Sequence, residues 1–288
     1  MTNIEPSIGI VGLGFVGTAV YEGFKDYLQV YTYDKFKKEV SNCQNLIHIC
    51  HQTKIIFICL PTPMREDGSC DLSIVTDTVK QIDRYCDGHV IVIKSTVPPG
   101  TTIKLNEVCK NSQVVFNPEF LTEANYIDDF KTQNRIIIGG PRPATTIIKN
   151  LYKKVFYNTP IIKTGSSTAE MVKYFLNCFL ATKVSFANEI KDVCDQIDVD
   201  YDKVVEYSLY DNRIGKTHFS TPGPDGKRGF GGSCFPKDVN AMINFAENLG
   251  IEPTVLSAVW DKNLQVRPEK DWEKLVGRAI SKKGVKNG

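Results

Sequence analysis

The strongest constraint on the fold is an alternation of short apolar runs with segments of helical spacing. The apolar runs predict strands at residues 8–11, 30–33, 54–60, 90–93, 114–116, 135–139 and 160–163. Segments whose apolar residues recur at helical spacing lie between them, at residues 17–27, 74–85, 101–110 and 143–156. Strand, helix, strand repeated in this order predicts an α/β fold, a Rossmann-type doubly wound parallel sheet with helices on both faces.

The character of the sequence changes near Gly165. Apolar residues then recur at helical spacing from Ser167 to Ile197 with no Pro or Gly, which predicts a helix about 45 Å long. Further helices are predicted at residues 199–210, 236–249, 255–264 and 270–280, with a loop at 212–232 and a frayed basic tail at 281–288. We therefore predict an N-terminal α/β domain over residues 1–164 and an all-helical central domain over residues 165–288.

Composition excludes several classes of protein. The chain has 288 residues, 42% of them apolar and 24% charged, which is typical of a globular rather than a disordered chain. Its net charge of +2 gives no reason to expect a nucleic-acid partner, and no apolar run approaches the length of a membrane span. The nine cysteines and four histidines show no metal-ligand spacing, and no signal peptide precedes them. We therefore expect a cytoplasmic protein with reduced thiols, without a metal site or a membrane partner.

A glycine-rich turn after the first strand predicts a dinucleotide site. Gly12, Gly14 and Gly17 form G-x-G-x-x-G between a strand and a helix, and Asp34 ends the second strand. Such glycines allow a tight turn, close approach of a pyrophosphate and close packing of helix and strand. An acid in the place of Asp34 accepts hydrogen bonds from ribose hydroxyls and repels a 2′-phosphate, which favours NAD. The lysines that follow it soften that preference, and the alternative is a glycine-rich turn without a ligand.

Polar and Pro-rich turns follow the next three predicted strands. They are Pro61-Thr62-Pro63, Ser95-Thr96, Pro98-Pro99-Gly100 and Asn117-Pro118-Glu119. Ligands of open α/β sheets bind outside the carboxyl ends of the strands, so these turns together predict one lined crevice. Each turn alone is also explained by turn chemistry.

One cysteine has the surroundings of a nucleophile. Residues 229–238 are GFGGSCFPKD, and Pro236 suits a first helical turn, which places Cys234 at the start of a helix. That position favours the thiolate, and Lys237 adds positive charge. Asp238 lies four residues on and can face the same side. The alternative is a small buried side chain at a helix start.

Two further pairs of polar residues are candidates for catalysis. Lys173 and Asn177 share one face of the long helix beside apolar residues and are suited to stabilise an oxyanion. Glu119 and Glu123 are also four residues apart and are candidates for acid–base work. Taken alone, each pair is more typical of a solvated surface.

The chain resembles the UDP-glucose/GDP-mannose 6-dehydrogenase family. The motifs that carry the resemblance are GLGFVG at 12–17, LPTP at 60–63, KSTVPPGT at 94–101, NPEFLTE at 117–123, RIIIGG at 135–140, AEMVKYFLN at 169–177, NE at 188–189 and GFGGSCFPKD at 229–238. Ser233 and Phe235 on either side of the cysteine are similar to the branch that acts on UDP-glucose. The GDP-mannose branch usually has Leu after the cysteine, and the N-acetylmannosamine branch usually has His before it.

The resemblance implies an NAD-dependent oxidation of the C6 alcohol of UDP-glucose to a carboxylate, by way of a thiohemiacetal and a thioester on Cys234. It implies catalytic roles for Cys234, Lys173, Asn177, Asp238, Glu123 and Thr96. Within this reaction Lys173 and Asn177 stabilise the oxyanion, while Glu123 assists hydrolysis of the thioester. Asp238 and Thr96 hold the water that relays a proton.

The fingerprint and the resemblance together predict the binding residues. Those expected at NAD are Gly12, Gly14, Phe15, Val16, Gly17, Asp34, Pro61, Thr62, Ser95, Thr96, Glu119 and Lys237. Those expected at the nucleotide sugar are Glu119, Phe120, Leu121, Glu123, Lys173, Asn177, Arg213, Phe230, Gly231, Gly232 and Cys234, with the loop 222–229 nearby. The two-sided apolar surface of the long helix, together with the resemblance, predicts a homodimer through the central domain. The alternative is that this surface packs within one chain.

The chain departs from the family in its length, because members normally continue into a second Rossmann-like domain that completes the nucleotide-sugar site. This sequence stops where that domain begins, so we expect the contacts from it to be absent. A dehydrogenase for another nucleotide sugar, of the GDP-mannose type, remains an alternative within the family, and two rival functions remain outside this reaction. One is a 3-hydroxyacid or 6-phosphogluconate type dehydrogenase, which makes one hydride transfer and needs no thiol. The other is a truncated, non-catalytic NAD-binding and dimerisation module.

Overall fold

The computed structural model describes residues 7–282, which contain one seven-stranded sheet and ten α-helices. The strands are Ser7–Val11 (β1), Gln29–Tyr33 (β2), Ile55–Ile58 (β3), His89–Ile93 (β4), Ser112–Phe116 (β5), Ile136–Gly139 (β6) and Ile161–Thr164 (β7). The helices are Phe15–Phe24 (α1), Leu46–Gln52 (α2), Ser73–Tyr85 (α3), Thr101–Val108 (α4), Tyr126–Lys131 (α5), Ala144–Lys153 (α6), Ser166–Gln196 (α7), Tyr201–Ser208 (α8), Cys234–Asn248 (α9) and Thr254–Val266 (α10). The predicted α/β class, with a helical part following it, is confirmed.

The strands lie in the order β2-β1-β3-β4-β5-β6-β7. β1 to β5 are parallel to one another, while β6 pairs antiparallel with β5 and parallel with β7. The predicted parallel sheet is confirmed for β1 to β5, whereas β6 and β7 run in the opposite direction. A buried strand has the same apolar pattern in either direction, so the sequence pattern carried no information on this point.

The sheet is buried on both faces because most residues of its central strands are apolar. In β4, Val90 and Val92 join one hydrophobic cluster, whereas Ile91 and Ile93 join the other. Successive side chains of a strand point to opposite faces, which explains this division. Burial of such a side chain stabilises the fold by about 1.5–3 kcal/mol, so the sheet is a rigid support for the turns at its carboxyl edge.

The described residues form two compact units. The first extends to Thr62 and from Leu72 to Lys173, and the second comprises Pro63–Asp71 and the chain from Tyr174 onward. The second unit is helical, with α8, α9, α10 and most of α7, and contains two smaller hydrophobic clusters. The predicted division of the chain after residue 164 stays a prediction. Within residues 7–282, no helix is both long and apolar enough to cross a membrane.

One predicted helix needs correction, and two short helices were not predicted. The helix expected at 270–280 is wrong, because only Asp271–Lys274 form a short 3₁₀ helix. Lys270 and Gly277 have positive φ angles of 44° and 80°, which interrupt an α-helix on both sides of that segment. The short helices α2 and α5 were not predicted, since neither is long enough to show a helical period. Most of the predicted tail, residues 283–288, lies outside the described residues.

Candidate active site

The turn between β1 and α1 is built by backbone packed against backbone. Gly12 has φ +91°, and a Cβ there would lie 2.5 Å from the carbonyl oxygen of Cys59. A Cβ on Gly17 would lie only 1.9 Å from the carbonyl oxygen of Gly12. Both positions therefore require glycine, one for its conformation and both for lack of space.

Gly14 differs from these two glycines, because a Cβ added to it would meet no protein atom within 4 Å. It is the N-cap residue of α1, which has no side-chain hydrogen bond at its start and no acidic residue in its first turn. The first backbone amides of α1, those of Phe15 and Val16, therefore lie at a helix N-terminus that is suited to bind an anion. An open glycine at an uncapped helix start fits the pyrophosphate of a dinucleotide.

Asp34 holds the glycine-rich turn in place. Its carboxylate accepts hydrogen bonds from the backbone amides of Leu13 at 2.7 Å, Phe36 at 2.9 Å and Lys37 at 3.1 Å. Burial opposes ionisation, but these bonds and the Lys37 ammonium together lower the pKa of Asp34. The Lys37 ammonium itself donates to the carbonyl of Leu13 at 2.8 Å. The predicted bond from Asp34 to a ribose stays a prediction.

The turns after β3 and β4 are joined to each other. The Ser95 hydroxyl donates to the carbonyl of Leu60 at 2.6 Å and accepts from its amide at 3.0 Å. The Thr62 hydroxyl donates to the carbonyl of Thr96 at 2.8 Å. Ser95, Thr96 and Thr62 are buried, whereas Pro61 is exposed. These turns therefore form one continuous edge in the first unit.

A buried ion pair joins the loop after β5 to the long helix. The Lys173 ammonium lies 2.9 Å from Glu119 Oε1, and Glu119 Oε2 accepts from the amide of Leu121 at 2.8 Å. Burial raises the pKa of Glu119, but Lys173 and the amide outweigh it and the pKa is lowered. The Lys173 ammonium also lies 5.9 Å from the centre of the Phe120 ring. Glu123 lies in an exposed turn rather than a helix, so its spacing from Glu119 does not place the two on one face.

Sequence reasoning missed a second buried lysine at this edge. The Lys94 ammonium donates to Asn117 Oδ1 at 3.0 Å, and the Tyr152 hydroxyl donates to the same oxygen at 2.5 Å. Asn117 Nδ2 in turn donates to the carbonyl of Ile137 at 2.7 Å. Burial is the main cause that lowers the pKa of Lys94 to about 8. The sequence offered one sign of this buried lysine, its position directly after the apolar run 90–93. A lysine at such a position is usually solvated, so the sign is weak.

We expect Lys94 to make the protein more stable as the pH rises from 8 to 10.5. The folded state holds the Lys94 proton less tightly than the unfolded state, so the cost of its buried charge is fully present below pH 8 and disappears toward pH 10.5. The gain is at most about 3 kcal/mol. Urea unfolding of the wild type and of Lys94→Met across this range measures it as a difference. Lys104→Met, at an exposed lysine of α4, is the control, and parallel curves for the wild type and Lys94→Met would contradict the expectation.

Glu170 on α7 fixes the turn before α4, which sequence reasoning also missed. Its carboxylate accepts from the Gly100 amide at 2.7 Å, the Thr102 amide at 2.8 Å and the Thr102 hydroxyl at 2.6 Å. Burial, the largest cause, raises the pKa of this fully buried carboxyl. Through these hydrogen bonds the Glu170 carboxylate satisfies backbone amides at the start of α4, whose N-cap residue provides no side-chain hydrogen bond.

The second unit holds a separate group around Cys234. Cys234 is the first residue of α9 and is half-buried, with its Sγ 3.8 Å from the Ser233 hydroxyl. Asp238, 1% exposed, accepts from Asn177 Nδ2 at 2.6 Å and from the Lys237 ammonium at 2.5 Å. Burial lowers the pKa of Lys237, but Asp238 and Cys234 outweigh it and the pKa is raised. A thiol, a carboxylate, an amide and an ammonium thus lie at one helix start.

The remaining predicted substrate residues lie in the loops of the second unit. Phe230 is buried with its ring 6.0 Å from that of Phe235, and Gly231 and Gly232 lead from it toward Cys234. Arg213 is exposed on a turn, where its guanidinium pairs with Asp211 at 2.5 Å. Its role toward a substrate stays a prediction.

The doubly wound sheet with its glycine-rich turn is the architecture of a dinucleotide-binding protein. Residues 28–156 match the NAD binding domain of the UDP-glucose/GDP-mannose dehydrogenase family, and residues 167–265 match its central domain. The chain belongs to this family and carries its NAD-binding domain.

Its relatives include several named UDP-glucose dehydrogenases. UDP-glucose 6-dehydrogenase TuaD of Bacillus subtilis is 38% identical over 222 residues, which cover 74% of this chain and 47% of the relative. The structure of a UDP-glucose dehydrogenase from the archaeon Pyrobaculum islandicum is similar with a TM-score of 0.84 and 32% identity, covering 95% of this chain and 71% of that one. The chain thus spans about half the length of the curated relatives it matches.

A 3-hydroxyisobutyrate dehydrogenase of Mycobacterium tuberculosis also shares the fold. Its TM-score is 0.73 at 13% identity, and the match covers 93% of this chain and 95% of that one. At this identity the likeness concerns the fold alone. Only the residues of the site can therefore separate the two kinds of dehydrogenase.

Proposed function

We propose that this chain carries the NAD-dependent oxidation of the C6 hydroxyl of a nucleotide sugar to a carboxylate, with UDP-glucose as the substrate. The observation that carries the proposal is Cys234 at the start of α9, next to the bonded group of Asp238, Asn177 and Lys237. A dehydrogenase that makes one hydride transfer has no use for a thiol in this position. Oxidation of an alcohol to an acid needs one, because the aldehyde must be held between two oxidations.

Each oxidation gives its hydride to NAD, which supplies that chemistry when bound. In the proposed reaction the C6 hydroxyl first loses a hydride and a proton to become an aldehyde. The Cys234 thiolate then adds to the aldehyde carbon and the new alkoxide is protonated, which gives a thiohemiacetal. Loss of a second hydride and a proton gives a thioester. Water finally cleaves the carbon–sulfur bond, which releases the carboxylate and restores the thiol.

The side chains suit these steps by their chemistry. The ammonium of Lys173 and the amide of Asn177 are donors that can stabilise negative charge on the reacting oxygen. Asp238 is a buried acceptor, and Thr96 offers a hydroxyl, both suited to hold water. Glu119 pairs with the Lys173 ammonium at 2.9 Å, and this pairing, with the Leu121 amide, outweighs burial and lowers the pKa of Glu119. Glu123 lies in an exposed turn, and we retain it as the base for hydrolysis.

UDP-glucose is proposed ahead of GDP-mannose on the residues beside the nucleophile. Ser233 and Phe235 flank Cys234, and the Phe235 ring packs 6.0 Å from the Phe230 ring. Named UDP-glucose 6-dehydrogenases are also among the relatives at 36–39% identity. GDP-mannose is the second candidate within the same reaction class.

We also propose a homodimer formed through α7. The second unit exposes apolar side chains along this helix, and Phe175, Phe179, Phe186 and Val193 are each more than half exposed. A second copy of the chain would remove this surface from water.

The nine cysteines are all free thiols, which supports a reducing, cytoplasmic location.

The first test is NADH production counted to completion with purified protein, excess NAD and a limiting amount of UDP-glucose. We expect two NADH for each sugar. One NADH for each sugar would favour the single-transfer class of dehydrogenase. No NADH, with NAD binding still seen by calorimetry, would overturn the proposed activity for this chain and favour the non-catalytic module.

A further inference from the structure

The loop that leads into Cys234 is fastened by one buried side chain, Arg267, directly after α10. Its guanidinium is 2% exposed and donates from Nε to Asp271 Oδ1 and from Nη2 to Asp225 Oδ2, both at 2.6 Å. Its Nη1 donates to the carbonyl of Arg228 at 3.3 Å. A single planar group therefore connects the end of α10 to two points of the loop 222–232.

The backbone just before the nucleophile lies directly on this group. A Cβ on Gly231 would lie 2.4 Å from Arg267 Nη2 and 2.5 Å from Asp271 Oδ1. The Gly232 amide donates to Asp271 Oδ2 at 3.4 Å. Gly231 and Gly232 are three and two residues from Cys234. A displacement of Arg267 or Asp271 would therefore shift the backbone close to the thiol.

Other contacts hold the loop at Arg228 and Phe230, whereas Arg267 holds it at Gly231. Phe230 exchanges hydrogen bonds with the Asn263 side chain, at 2.7 Å for its amide and 3.0 Å for its carbonyl. Arg228 donates to Asn188 Oδ1 at 3.0 Å. Both contacts act before Gly231, whereas the pair of Arg267 and Asp271 acts at the last two residues before Ser233.

We infer that Arg267 is a positioning residue for Cys234, which it keeps at the first position of α9 by fixing the glycine backbone in front of it. The contacts of Arg267 described above lie on the loop and on Asp271, so its effect on Cys234 is transmitted through the loop. The inference rests on the proposed function, because it matters for catalysis only where Cys234 is the nucleophile. Its physical content is the reactivity of the thiol, which is measurable without a nucleotide sugar.

The experiment measures the rate at which iodoacetamide alkylates Cys234 between pH 6 and pH 10, by mass spectrometry of the peptide that contains it. In Arg267→Met we expect the midpoint of the rate profile to rise by about one pH unit and alkylation at pH 7 to slow about tenfold, because the thiol leaves the helix start. Arg267→Lys should lie between, since an ammonium cannot reproduce the planar fork. In turnover, kcat should fall more than KM rises.

Two further variants keep the test decisive. Asp271→Asn retains the shape of the side chain and should move the profile in the same direction, and it decides the question if Arg267→Met does not fold by circular dichroism. Glu273→Gln is the matched control, since Glu273 is an exposed carboxylate two residues after Asp271. It should match the wild type.

The outcomes separate the inference from the proposed function. Folded Arg267 and Asp271 variants with the wild-type profile would overturn the positioning role, whatever the activity. A shifted profile in a chain that makes no NADH would support the positioning role and count against the proposed function.

Discussion

Replacing Cys234 with alanine is expected to lower the rate of NADH production from UDP-glucose by about a thousandfold or more. Without the thiol no thiohemiacetal forms, so the second hydride has no covalent intermediate to leave from. Cys234 is half-buried at a helix start and alanine is a good helix former, so the fold should be unchanged. Steady-state NADH production and NAD binding by calorimetry measure the two effects separately.

The matched control for this change is Cys109→Ala. Cys109 is also half-buried, but it follows α4 in the first unit and has no part in the proposed reaction. We expect it to keep two NADH for each sugar. If Cys234→Ala also kept that ratio, the thioester route would be wrong and another group would have to retain the aldehyde.

Much of the fold was predictable because its signals are local. All seven strands lie within about two residues of the predicted runs, since short apolar runs between turn residues are typical of buried strands. The long helix was predicted from the unbroken helical spacing of its apolar residues, and the structure has a helix at Ser166–Gln196. The direction of β6 and β7 was not predictable, because it depends on where the connecting segment returns rather than on any residue within the strand.

Residues of the candidate site could be selected from the sequence where they belong to one short motif. Gly12, Gly17 and Cys234 each belong to such a motif, and the structure gives a steric or positional reason for each. Lys94 and Arg267 were missed because Asn117, which Lys94 contacts, and Asp225, which Arg267 contacts, lie 23 and 42 residues away. Each charged residue alone is typical of a protein surface. A buried charge becomes visible only when its partners are known in three dimensions.

Two alanine substitutions in the glycine-rich turn should separate the fold from the cofactor site. In Gly17→Ala the new Cβ would lie 1.9 Å from the carbonyl oxygen of Gly12, so β1 and α1 must move apart. We expect the free energy of unfolding to fall by about 3 kcal/mol, the upper part of the range for overpacking, and NAD binding to be lost with the geometry of the turn.

Gly14→Ala is the matched counterpart, because its Cβ meets no protein atom within 4 Å and its φ of −75° suits alanine. Its free energy of unfolding should stay within about 0.5 kcal/mol of the wild type. NAD binding should nevertheless weaken, since the methyl group occupies the open side of the turn where a pyrophosphate would approach. Urea unfolding and calorimetry with NAD measure both quantities on the same samples. Wild-type NAD affinity in Gly14→Ala would place the pyrophosphate elsewhere, and wild-type stability in Gly17→Ala would mean that the turn relaxes without cost.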